Sequence, residues 1–242
     1  MLPDMQLQAL IFDVDGTLAE TERDGHRPAF NAAFGEAGLR WRWDERLYGE
    51  LLAVAGGKER MRHYAQHFDP AFFARRDREV AIQALHAAKT RHYLDILEAG
   101  NIPLRPGIAD LIAEARAAGL RLAIATTTTL ENVLALLRTR LGPESIDWFD
   151  AIGTGDIVPT KKPAPDIYLW VLDRLELPAA DCLALEDSAL GLRSALAAGI
   201  PVVATESMYT RGQDFTGARA VLSDLSDTRI SDIHLMHHIR SS

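Results

Sequence analysis

The chain has 242 residues, 48% of them hydrophobic and 25% charged, with a net charge of −8. This balance suits a globular protein of one large domain, or a core with a smaller second domain, and argues against a general nucleic-acid binder. No apolar run approaches the roughly 18 residues a membrane span needs. One cysteine, Cys182, excludes an intramolecular disulfide. With residues 1–12 lacking the basic start and long apolar stretch of a signal peptide, a cytoplasmic protein is expected.

The first element is an apolar run at 9–12, read as a buried strand, and it ends on Asp13-Val14-Asp15-Gly16-Thr17. Carboxylates at the end of a buried strand cost desolvation free energy unless a cation or hydrogen-bond donors compensate. In an open α/β sheet that edge is where ligands bind. The pair therefore points to a metal site, to a nucleophile with an acid/base partner, or to both.

Residues 26–99 then read almost wholly as helix, with segments at 26–37, 45–54, 58–68, 70–74 and 77–98. They are punctuated by Gly38, Gly56-Gly57, Pro70 and Gly100. From Pro103 helices and strands alternate. Pro106-Gly107 opens a helix with Ile108, Leu111, Ile112 and Ala115 on one face, and 121–126 is a strand. Leu130, Val133, Leu134, Leu137 and Leu141 mark the next helix, before a strand at 150–153 and a helix at 164–175. Strands at 182–185, 202–205 and 220–222 complete the series, with a helix at 189–198.

Cys182, beside Leu183, Ala184 and Leu185, is expected to be a buried strand thiol. His234, His237 and His238 are read as part of a frayed polar tail rather than as metal ligands. The fold class is α/β: repeated strand–helix units imply a parallel sheet covered by helices. The helical block is an insertion at the carboxyl end of the first strand, where it can act as a lid. Residues 1–19 and 103–242 form the core and 20–102 the cap domain.

The other strand ends sharpen the chemistry. Strand 121–125 ends on Thr126, followed by Thr127, Thr128 and Thr129, whose hydroxyls and amides suit an anion's oxygens. Lys162 precedes Pro163, which favours extended backbone and a restrained turn. Strand 182–185 ends on Glu186-Asp187-Ser188. Clustered carboxylates need a cation, and oxygen ligands favour Mg²⁺ over Zn²⁺. Mg²⁺, a lysine and a hydroxyl supply the charge neutralisation and orientation that a phosphoryl group requires. An Asp nucleophile can form an aspartyl-phosphate, while a second Asp protonates the leaving oxygen and then activates water.

In this order DVDGT at 13–17, Thr126, Lys162 within KKPAPD, and EDS at 186–188 resemble the motifs of the haloacid dehalogenase (HAD) superfamily. The resemblance implies a Rossmann-like parallel-sheet core with an inserted α-helical cap. It implies Asp13 as nucleophile, Asp15 as acid/base, and Thr126 and Lys162 as catalytic phosphate-binding residues. Mg²⁺ would be held by Asp13, the Asp15 carbonyl and Asp187, with Glu186 acting through the hydration shell. Asp15 and the metal site set the chain apart from dehalogenating members. The run of threonines after Thr126 departs from the family pattern.

GGKER at 56–60, with Glu20, Glu22 and His26, resembles the CbbY group, which accompanies carbon-fixation (Calvin cycle) genes and acts on xylulose 1,5-bisphosphate. Glu20, His26, Lys58, Arg60 and Thr127 are then the substrate-binding candidates. Arg62 and Trp41-Arg42-Trp43 stand beside them as a possible receptor for a second phosphate. The resulting reading is a Mg²⁺-dependent sugar-bisphosphate phosphatase, monomeric, with a small-molecule partner and neither nucleic acid nor membrane. The alternatives are a sugar-phosphate mutase of the β-phosphoglucomutase type, a phosphonate hydrolase using Lys58, and a non-catalytic phosphate-ligand binding protein.

Overall fold

Short apolar runs make the strands, because each of the inner ones is buried on both faces. In the computed structural model, which describes residues 6–100 and 102–238, β1 (Ala9–Phe12), β2 (Arg121–Ala125), β3 (Ala151–Gly153), β4 (Cys182–Glu186), β5 (Val202–Thr205) and β6 (Ala220–Leu222) form one sheet. Residues 1–5, the start of the stretch read for a leader, lie outside the described residues. The spatial order is β3-β2-β1-β4-β5-β6 and every pairing is parallel. β1 is central, with Phe12 level with Ile124 of β2 and Leu185 of β4.

The chain winds outward through β2 and β3, then crosses to β4 on the other side of β1. That reversal opens a crevice at the carboxyl ends of β1 and β4, the place where doubly wound sheets bind ligands.

On one face of the sheet Ala9, Ile11, Ala123, Ala125, Cys182 and Ala184 form a core. It is shared with Ile167, Tyr168 and Val171 of α8 (Asp166–Leu175) and with Leu192 and Ala195 of α9 (Ala189–Ala197). Small sheet residues let those helices lie close, and Cys182 is fully buried among them. The helix expected from 164 begins at Asp166, since Pro163 and Pro165 occupy the approach.

The expected frayed tail is corrected. Residues Ile230–His238 form a helix, with Ile233 and His237 at i and i+4 buried on one face and His237 Nε2 2.7 Å from the Ala180 carbonyl.

The chain divides into two compact units, Met1–Glu20 with Pro103–Ser242, and Thr21–Ile102. The second unit is helical: α1 (Arg27–Glu36), α2 (Glu45–Leu51), α3 (Gly57–Phe68), α4 (Pro70–Phe73) and α5 (Arg78–Glu98). A π-helical turn, Glu22–His26, leads into α1 and extends it backwards from the expected start.

Trp43 is fully buried here, with its ring 4.7 Å from Phe30 and 4.8 Å from Phe34. Trp41 packs against Phe72, Tyr64 and Phe34, and its Nε1 donates to Asp69. Arg62 is paired with Glu79 at 2.8 Å. The tryptophans of the suggested phosphate receptor are therefore core residues, and Arg62 is already engaged. Among the described residues no helix is long and apolar enough to cross a membrane.

Candidate active site

Asp13 follows β1 directly, and its N–H donates to the Leu185 carbonyl at 3.0 Å. That bond sets it beside the end of β4, where Glu186 and Asp187 stand. Lys162, from the loop ahead of α8, lies between the two strands. Its ammonium donates to Asp13 Oδ1 at 2.7 Å, Glu186 Oε1 at 2.5 Å and the Ala125 carbonyl at 2.8 Å. All three of its hydrogens are thus used. Tyr168 Oη donates to the same Glu186 oxygen at 2.5 Å, while Glu186 Oε2 is buried without a protein partner.

Burial, helped by the charges of Glu186 and Asp15, pushes the Asp13 carboxyl up to about 8 against the pull of Lys162. Burial opposes the charge on Lys162 as well, yet Asp13 and Glu186 together hold it above its ordinary value. Burial, and then the Glu186 charge, raise Tyr168 far above the usual phenol range, so its hydroxyl stays a donor. The site therefore holds more negative charge than its lysine can balance.

Asp13, Glu186 and Asp187 each turn a carboxylate oxygen to within 4.8 Å of the others, all three residues being buried. An all-oxygen acidic set with an unpartnered buried oxygen fits a small hard dication such as Mg²⁺.

Two glycines leave room for this cluster. Gly16 has a φ of +86°, and a Cβ there would run into the Asp187 carboxylate. A Cβ on Gly191 would run into the carboxylate of Glu186. Both are backbone approaches that a side chain would block.

Thr126 is buried at the end of β2, its N–H bonded to the Gly153 carbonyl, and its Oγ1 accepts from the Thr128 amide at 3.2 Å. The Thr126 hydroxyl hydrogen is thereby left to donate elsewhere. Thr127 is half-buried in the same loop, and Asp15 is half-buried two residues beyond Asp13. Glu20 lies with Oε1 3.3 Å from the Arg105 guanidinium.

The remaining candidates belong to the helical unit. His26 is buried, stacked on Tyr93 at 4.1 Å, and its Nδ1 is 2.7 Å from Lys89 Nζ. Arg60 is buried with Nη1 3.0 Å from Tyr48 Oη, which itself donates to Glu22. Lys58 is half-buried in the first turn of α3.

Sequence reasoning passed over Tyr168, Arg105 and Lys89. Only Tyr168 carried a signal, a phenol placed among apolar residues on the inward face of α8.

A family profile of haloacid dehalogenase-like hydrolases matches residues 7–199. The plasmid-encoded CbbY protein of Cupriavidus necator is 56% identical over 221 residues, covering 91% of this chain and 87% of that protein. The chain belongs to the CbbY family of haloacid dehalogenase-like hydrolases.

CbbY of Rhodobacter capsulatus is 52% identical over 222 residues, covering 92% of this chain and 95% of that one. A crystal structure of a mutant CbbY from Rhodobacter sphaeroides in complex with xylulose-1,5-bisphosphate matches with a TM-score of 0.87 and 45% identity, over 93% of this chain and 98% of that one. The α/β architecture and the resemblance drawn from the motifs thus agree with those CbbY relatives along nearly the whole chain.

Proposed function

We propose that this CbbY-family chain is a Mg²⁺-dependent phosphatase that hydrolyses xylulose 1,5-bisphosphate through an aspartyl-phosphate on Asp13. The observation that carries the reading is Lys162 bridging Asp13 and Glu186 at the switch point of the sheet, beside a buried acidic cluster that needs a cation. The sugar bisphosphate is supported by the CbbY relative that binds it.

Asp13, Asp187 and the Asp15 main-chain carbonyl would hold Mg²⁺, with Glu186 behind them. When bound, the ion neutralises phosphoryl oxygens. Lys162 pins Asp13 through Oδ1 and adds a fixed positive charge, while the Thr126 hydroxyl donates to a phosphoryl oxygen. In the first step an Asp13 oxygen forms the bond to phosphorus, the ester P–O bond breaks, and Asp15 gives its proton to the leaving sugar oxygen. In the second Asp15 takes a proton from water, the water oxygen bonds to phosphorus, and Asp13 leaves as carboxylate.

Glu20, His26, Lys58, Arg60 and Thr127 belong to the same reading as substrate-binding residues. So do a cytoplasmic location and a monomeric state.

The test is phosphate release from xylulose 1,5-bisphosphate with Mg²⁺, using Asp13→Asn as control. Glucose 1-phosphate with a catalytic bisphosphate is run alongside and scored for isomer formation. Rapid Asp13-dependent release supports the phosphatase. Isomer formation with little free phosphate would move the chain to the mutases. A folded protein with neither activity would leave a binding role.

A further inference from the structure

We infer that Tyr168 is a positioning residue for the metal centre: with Lys162 it saturates Glu186 Oε1, fixing the carboxylate so that Oε2 serves the cation or its water shell. The inference rests on the proposal that Mg²⁺ occupies the acidic cluster.

Its basis is the division of labour at one carboxylate. Oε1 receives two donors, Tyr168 Oη and Lys162 Nζ, each at 2.5 Å, whereas Oε2 receives none although it is buried. Glu186 itself is wholly buried, so no bulk water can make up the difference.

Lys162 alone does not define the orientation. Its other two hydrogens are committed to Asp13 and Ala125, and a single donor leaves a carboxylate free to turn about its Cγ–Cδ bond. Tyr168 comes from a different element and is fully buried in the core under the sheet. Its ring is held by packing, which makes the phenol a fixed point. Gly191 lies against the carboxylate where a side chain would displace it. A ligand carboxylate oriented by a rigid outer donor is how proteins tune metal affinity, and loss of such a donor typically costs about 10–100-fold in affinity or activity.

The experiment is Mg²⁺ titration by calorimetry, without substrate, of the wild-type protein and Tyr168→Phe. The expected result is a Kd about tenfold or more weaker for Y168F, with the metal-free variant still folding cooperatively. In turnover, the kcat loss of Y168F should be recovered at saturating Mg²⁺ while KM for the sugar bisphosphate stays put. A merely structural tyrosine would not give that metal rescue.

In a Glu186→Gln background, adding Y168F should change Mg²⁺ affinity no further. Should Y168F fail to fold, Tyr168→Met supplies the same loss of donor with a side chain that repacks easily. A folded variant whose Mg²⁺ affinity stays within twofold of wild type overturns the inference. A wild-type protein that does not bind Mg²⁺ overturns the metal reading beneath it, so the two failures are told apart.

Discussion

Arg105 donates to the main-chain carbonyl of Gly16, so a residue just after the helical insertion grips the loop that carries Asp13 and Asp15. The same guanidinium reaches the carbonyls of Thr205 at 3.0 Å, Glu206 at 2.7 Å and Ser223 at 2.7 Å, and lies 3.3 Å from the Glu20 carboxylate. A planar fork with five hydrogens suits this set of oxygens; a lysine cannot span it. Arg105→Lys is expected to cost at least about 2 kcal/mol in urea unfolding, because buried carbonyls lose donors. It should also lower kcat in phosphate-release assays through loosening of the Gly16 loop.

Removing the bridge between the two strand ends should be more severe. Lys162→Met leaves Asp13 and Glu186 facing each other without their shared cation. Breaking a buried pair by deleting one partner typically costs about 3–5 kcal/mol. Denaturation of the metal-free protein should show a loss on that order, and turnover should vanish. Near-normal activity in K162M would contradict the role given to Lys162.

Magnesium affinity should depend on pH. In the metal-free folded protein Asp13 is raised from 3.8 to about 8, so the native state binds a proton there that the unfolded state has released. Stability of the metal-free protein therefore falls as pH rises through that window. A dication at the cluster displaces the proton. Mg²⁺ affinity should accordingly rise with pH, by at most about tenfold per unit, and level off near 8. Calorimetry in buffers of different ionisation enthalpy measures the proton released, which Asp13→Asn should abolish.

Gly191→Ala tests how tightly the carboxylate is enclosed. The added methyl meets Glu186, so the carboxylate must shift or the start of α9 must move. Overpacking of this kind costs about 1–3 kcal/mol. Thermal melts should fall accordingly, and the Kd for Mg²⁺ should weaken. An unchanged Kd would show that Glu186 does not serve the metal.

Far from the site, His237 makes a separate prediction. Burial holds its imidazole below the ordinary value of 6.5, although the Ala180 carbonyl pulls the other way. The unfolded chain takes up a proton near that pH while the folded chain resists it. The contribution to stability is full above about 6.5 and is lost as pH falls below it. His237→Gln should flatten the fall in melting temperature on acidification, relative to wild type.

These residues also show what the sequence made legible. Asp13, Thr126 and Glu186 each sit at or just beyond the end of an apolar strand, and Lys162 precedes Pro163 in the loop ahead of α8; strand ends and Lys-Pro turns can be read locally. The parallel sheet followed from the alternation of helix and strand for the same reason. Arg105 could not be found that way, because the carbonyls it binds lie at Gly16, Thr205, Glu206 and Ser223, which only the folded sheet brings together. Trp41 and Trp43 looked like a recognition cluster beside Arg42, yet burial of large aromatic surface placed them inside the helical unit. The C-terminal helix was missed because its polar histidines hid the spacing of Ile233 and His237.

The position of β1 at the centre of the sheet has a consequence for synthesis. Ala9 is made before both of its partners on either side, Arg121 and Cys182. Asp13 therefore waits without its neighbouring strands until β2 and β4 have left the ribosome, since pairings this distant in sequence form late. A nascent or truncated chain ending before β4 would carry Asp13 and Asp15 without Lys162's second anchor or the acidic pair at the end of β4. Turnover would then report that β4 has been made, and a chain halted before it would release no phosphate.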